Sequence, residues 1–165
     1  MSEAARLIDQ FKRVHDGDPW HGSPLRTILE GVTAKQAATR PPNGGHSIWE
    51  LVLHITGWRT EVAQRATGKP AGEPAAGDWP AAGEPTDVRW TAALGALDAS
   101  HQNLVSVVRG MTDDHLLKPT NDPRSHPLGT GVSYYELLHG IVQHDAYHAG
   151  QIAMLKKVLV VPAIK

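Results

Sequence analysis

The sequence predicts an all-α protein, a four-helix bundle with long connections, on three observations. Four segments repeat their apolar residues at helical spacing. Hydroxyl residues placed to cap helix N-termini open three of them, Ser47, Thr86 and Ser133. No segment shows the apolar–polar alternation of a half-buried strand.

The first segment, Glu3–His15, carries Ala4, Leu7, Ile8, Phe11 and Val14 on one face, and Gly17, Asp18 and Pro19 stop it. Ser23 followed by Pro24 marks a helix start, a capping hydroxyl before a proline at the first helical position. Leu25, Ile28 and Leu29 supply the apolar face of this short piece and Gly31 ends it. The second long helix opens with Ser47-Ile-Trp-Glu50, in which Ser47 caps the helix and Glu50 reaches back to the cap's amide. Ile48, Leu51, Val52, Ile55, Trp58 and Val62 then recur at helical intervals to about residue 67. Residues 68–85 are rich in glycine and proline, cannot continue a helix, and read as a long exposed linker that tolerates shortening.

Thr86 caps the third long helix, Asp87–Arg109, with Trp90, Leu94, Leu97, His101, Leu104, Val105 and Val108 on its apolar side and Gly110 at its close. A second capping box, Ser133-Tyr-Tyr-Glu136, opens the last helix, which runs to about residue 158. The punctuation repeats. Gly31-Val32-Thr33, Arg40-Pro41 and Ser47-x-x-Glu50-Leu51 match Gly110-Met111-Thr112, Lys118-Pro119 and Ser133-x-x-Glu136-Leu137. Each half reads as helix, glycine stop, short helical turn, basic-proline break and capped helix, although capping chemistry alone imposes similar punctuation on helical proteins.

A chain of 165 residues forms one domain, 1–165, large enough to bury a core without disulfides. Cysteine is absent, so thiolate metal sites and a protein thiol nucleophile are excluded, and a reducing cytoplasm is the expected location. Sixteen basic and seventeen acidic residues give a formal charge of -1, which provides no field to attract nucleic acid or anionic lipid. No stretch approaches the length of a membrane span, and Glu3, Arg6 and Asp9 interrupt the N-terminus where a signal peptide would be apolar. The expected partners are a small-molecule substrate and a second copy of the chain, with neither nucleic acid nor membrane.

Ten histidines leave imidazole and carboxylate as the available metal ligands. His144 and His148 lie four residues apart, on one face of the last helix, where their rings can aim at a common point. At about 100° per residue, Leu137, Ile141, His144, His148, Gln151, Ile152 and Leu155 form one inward stripe. His54 sits in the most apolar stretch of the second long helix, Leu51-Val52-Leu53-His54-Ile55, where a buried ring needs partners for its nitrogens. These three are the candidate ligands of one divalent transition metal held inside the bundle. A satisfied core histidine is the simpler reading of any one of them. His15, His21, His46, His101, His115, His126 and His139 have no matched spacing, and His101 on an apolar face reads as core. Trp20 and His21 are candidates for a pocket mouth. His144-Asp145-x-x-His148 also approaches the His-Glu-x-x-His pattern of zinc proteases, but aspartate is a methylene shorter and no sheet is present to bind an extended peptide.

The motif His144-Asp145-Ala146-Tyr147-His148-Ala149-Gly150-Gln151-Ile152, with Leu51-Val52-Leu53-His54-Ile55-Thr56-Gly57-Trp58 upstream, closely resembles the DinB-like (DinB/YfiT) superfamily. The likeness extends to Trp20-His21-Gly22, the capped second helix and the glycine-threonine turns. It implies a four-helix bundle holding a nickel, zinc or manganese ion on one histidine of the second helix and two of the fourth, positions that correspond here to His54, His144 and His148. It also implies chemistry with low-molecular-weight thiols such as mycothiol or bacillithiol, as S-transfer or thiol-dependent isomerisation.

Three neutral ligands leave the ion's charge uncancelled and a coordination position open, an arrangement suited to lowering the pKa of water or of an incoming thiol. The expected function is a metal-dependent thiol S-transferase acting on a small electrophile. The alternatives are a metal-dependent hydrolase and a non-catalytic metal- or ligand-binding bundle. Gln151 and Tyr147 are candidate supports of the ligands, as is Asp145 if it orients a ligand from a neighbouring helix. Glu61, seven residues after His54, is a candidate acid or base, with a solvated carboxylate as the alternative.

Overall fold

The structure, a computed structural model, describes residues 1–42, 44–122 and 133–159. His126 lies outside them. The described residues form α1 (Glu3–His15), α2 (Leu25–Leu29), α3 (Ala34–Ala38), α4 (Ile48–Ala66), α5 (Asp87–Arg109), α6 (Asp113–Leu116) and α7 (Tyr134–Leu159). Among them there is no strand, only one isolated bridge between Pro119 and Ser133. Among the described residues no helix is long and apolar enough to cross a membrane.

Side-chain caps set where most of these helices begin. The Ser47 hydroxyl accepts from the Glu50 amide while Glu50 accepts from the Ser47 amide at 2.8 Å, and Ser133 and Glu136 repeat the exchange at the start of α7. Both glycine-threonine turns end in a cap, Thr33 on α3 and Thr112 on α6, so the repeated punctuation corresponds to a repeated short helix in each connection. At α2 the expected cap is displaced. Pro24 itself is the cap residue, still extended at φ -69° and ψ 161°, so the helix starts one residue later and Ser23 stays outside.

The long helices pack as a ring, with α1 against α5 and α7, and α4 against the same two. Their apolar faces form two clusters. One gathers Leu25, Trp49, Ile55, Leu97 and Ile152, and the other Leu7, Phe11, Val62, Leu104 and Leu138. Along α4, α5 and α7, the residues midway between the clusters are Arg59, His101 and Asp145, all buried. Arg59 Nε donates to Asp145 Oδ2 at 2.8 Å, and Arg59 Nη1 donates to His15 Nδ1 at 3.3 Å. His15 Nε2 donates in turn to Asp98 Oδ1 at 3.1 Å, and the rings of His15 and His101 stack at 4.1 Å. A polar layer thus joins α1, α4, α5 and α7 and positions the helices that carry the candidate ligands.

This layer makes stability depend on acidity. Burial, reinforced by the Arg59 charge, pushes His15 down to about 2 and His101 down to about 4. In the unfolded chain both would titrate near 6.5. As pH falls below about 6.5 the unfolded chain takes up protons that the folded rings refuse, so the stability present at neutral pH declines progressively toward pH 4. The melting midpoint should drop by several degrees between pH 7.5 and pH 5, and more steeply for the wild type than for His101→Gln. Parallel pH profiles for the two proteins, followed by circular dichroism, would contradict this account.

Candidate metal centre

His54 projects from the first half of α4, and His144 and His148 lie one turn apart on α7. The packing of α4 on α7 brings His54 Nε2 to 2.9 Å from His144 Nε2. One nitrogen from each of the three rings lies within 4.8 Å of the others. Metal–nitrogen bonds of about 2.1 Å at tetrahedral angles would hold such nitrogens about 3.4 Å apart, so the three rings could take an ion with small rotations.

Two of the rings are fixed by their other nitrogen. His54 Nδ1 donates to the carbonyl of Asp78 at 2.7 Å, and His148 Nδ1 donates to Gln151 Oε1 at 2.6 Å. In the neutral ring each of these bonds leaves Nε2 unprotonated, the form a metal requires, with the His54 Nε2 facing His144 Nε2. Burial pushes both histidines below their ordinary value, His148 to about 4, so both are neutral at physiological pH. His144 differs. Its Nδ1 is buried without a hydrogen-bond partner, 3.8 Å from Asp145 Oδ1, which also has none.

Residues 68–85 do not form a detached linker. Trp79 is stacked between His46, at 3.5 Å between ring centroids, and His54, at 3.9 Å, with both pairs nearly parallel. Asp78 holds His54 through its carbonyl and accepts from Trp58 Nε1 through Oδ1 at 2.7 Å. Further back, Pro74 is buried against Gly57, where an added Cβ would come within 3.1 Å of the proline. The connection therefore roofs the histidine cluster, and a deletion spanning Asp78 and Trp79 would strip the support from His54.

Glu61 anchors the same connection and is neither at the histidines nor solvated. It is 2% exposed and accepts from Arg65 Nε at 3.1 Å, Lys69 Nζ at 2.9 Å and the Gly72 amide at 3.1 Å. Burial alone would raise its pKa, but the hydrogen bonds from Lys69 and Arg65 outweigh burial and hold the carboxyl below its usual range. Two turns of α4, about 10 Å, separate it from His54.

Asp145 faces Arg59 in the polar layer, and the candidate ligand it approaches is its own neighbour His144, not one on another helix. Tyr147 is 65% exposed and sets its ring edge-on to His148 at 5.0 Å. Gln151 is brought directly onto His148.

The other histidines are placed elsewhere. His101 and His15 lie in the polar layer, His115 stacks on Tyr134 and His139 bonds to Glu3. His21 borders a separate cleft with Lys156 and Lys157, whereas Trp20 is fully exposed. Sequence reasoning missed Trp79, Asp78 and His46. A lone tryptophan inside a glycine- and proline-rich stretch was the available signal, since so large an apolar ring is seldom left in solvent.

A family model described as the DinB superfamily matches residues 20–152. No curated protein and no solved structure matches the chain.

Proposed function

The chain belongs to the DinB superfamily, and from that premise we propose that it is a divalent-metal-dependent transferase that joins a low-molecular-weight thiol to a small electrophile. The observation that carries this reading is the convergence of three imidazoles, two of them held with Nε2 unprotonated by Asp78 and Gln151. The donor set of three imidazoles fits zinc, nickel or manganese. Such an ion supplies Lewis acidity, which lowers the pKa of an incoming thiol or water.

The protein's own groups favour thiol over water. Of the two carboxylates beside the cluster, Asp145 is bound through Oδ2 to the buried Arg59, and Asp78, with Oδ1 3.3 Å from His54 Nδ1, accepts from Trp58, so neither is placed as the free base of a protease-type site. A thiol, with an unperturbed pKa of about 8.5, needs that base far less than water does. The chain has no cysteine, so the thiol is a cosubstrate. In the transfer its sulfur forms the new carbon–sulfur bond, the leaving group departs with its electron pair, and the thiol proton passes to water. Gln151 and Asp78 hold two of the ligands in their tautomers.

Metal-loaded protein should accelerate the loss of small thiols in the presence of chlorinated or epoxide acceptors, whereas chelated protein and His148→Ala should not. A thiol-consumption assay decides it. No loss above the blank would overturn the reading, with metal-dependent ester hydrolysis favouring water activation and binding without turnover favouring a non-catalytic bundle.

A further inference from the structure

Beside His148 a cleft of about 760 Å³ opens between α7, the start of α4 and the connections before and after α4. Its volume is typical of a site for a small organic molecule and far larger than a metal-bound water requires. Tyr147, Met154 and Leu155 form one wall, and Pro41, Leu51 and Trp79 form the other. Among the described residues that line it, the polar side chains are His46, Tyr147, His148 and Gln151, and His148 and Gln151 already bond to each other. Among the described residues, no lysine, arginine, aspartate or glutamate lines it. A charged ligand body entering here would surrender hydration and gain no counter-ion, while an apolar body would gain burial against Trp79, Leu51 and Met154.

The neighbouring cleft across α7 has the opposite character. Gly150 borders both, but the second is lined by His21, Lys156 and Lys157. An anionic molecule would find its charge partners there and not beside the histidines.

We infer that the cleft beside His148 binds the body of an uncharged, apolar substrate, with the Trp79 ring as a wall and the reacting end directed to His54, His144 and His148. This rests on the metal-dependent reading above and adds to it the class of acceptor: a neutral molecule with an aromatic or aliphatic body, its electrophilic carbon at the histidine end. Trp79 and Met154 become specificity-determining residues, Trp79 close to the metal ligands and Met154 at a distance from them. Met154 lies six residues beyond His148, is 63% exposed, and can carry a charge without disturbing the core.

Zinc-loaded protein titrated calorimetrically with three hydroxamates tests the inference, because they share one metal-binding head. Acetohydroxamate reports the metal centre alone, naphthyl hydroxamate adds an apolar body, and the carboxylated naphthyl analogue adds a charge to that body. The apolar body should tighten binding at least about tenfold over acetohydroxamate, and the carboxylate should cancel that gain. Met154→Glu should also cancel it. Binding of acetohydroxamate with no gain from the naphthyl group, or a gain that survives both the carboxylate and Met154→Glu, would overturn the inference and leave the metal reading intact. Failure of acetohydroxamate to bind the zinc-loaded protein would overturn the metal reading, and the cleft assignment with it.

Discussion

Purified without a histidine tag, the chain should take up about one zinc, nickel or manganese ion, and His54→Ala, His144→Ala or His148→Ala should each weaken that binding by more than about a hundredfold. Each ring supplies one of three nitrogens, and the two that remain cannot surround an ion without recruiting water. Gln151→Ala should cost less, roughly 10- to 100-fold, because it frees the His148 ring to turn and to change tautomer without removing a ligand. His115→Ala should leave affinity unchanged, since that ring is occupied with Tyr134. Competition against a chromogenic chelator measures all five variants on one scale. Equal affinity across them would mean that the ion, if bound, is held by other residues.

The contrast between His54 and Trp79 shows what could be read from the sequence. Helical periodicity reports which face of a helix is inward, so His54, His144 and His148 were legible as soon as the stripes of α4 and α7 were drawn. Their convergence was not, because it depends on how α4 packs on α7 and no local pattern encodes that. Capping boxes fixed the starts of α4 and α7 because side chain and amide lie within four residues of each other. The path of residues 68–85 had no such local determinant. It is set by long-range bonds, from Glu61 to Gly72 and from His54 to Asp78, between partners that periodicity treats as separate.

Glu61 and Asp145 mark the same boundary from the polar side. Each has a spacing that suggests a role near the histidines, yet each is bound to an arginine of α4, at Arg65 and Arg59 respectively. A charged residue on a helix is read by default as solvated, and buried partners reverse that reading, nearby in sequence for Glu61 and far away for Asp145. Arg59 and Asp145 are separated by 86 positions.

The largest effect on stability should come from that pair. Arg59 and Asp145 are almost wholly buried, and removing either leaves the other charged, out of water and without its partner. Arg59→Ala and Asp145→Ala should each lower unfolding stability by about 3 to 5 kcal/mol in urea titrations, a shift of roughly 10 °C in melting midpoint for a chain of this length. Arg59→Ala carries the further loss of its bond to His15, so its cost should exceed that of a deletion confined to one contact. Replacing both by apolar residues of similar size, Arg59→Met with Asp145→Leu, should recover much of the stability, because the burial penalty disappears together with the attraction. The pair also ties α4 to α7 one residue from His144, so Asp145→Ala should weaken metal binding as well, and the double replacement should restore folding more completely than it restores metal affinity. If the single and double variants are equally stable, the pair is not energetically coupled; if the double variant regains full metal affinity, Asp145 serves the fold alone and leaves His144 to be placed by its own packing.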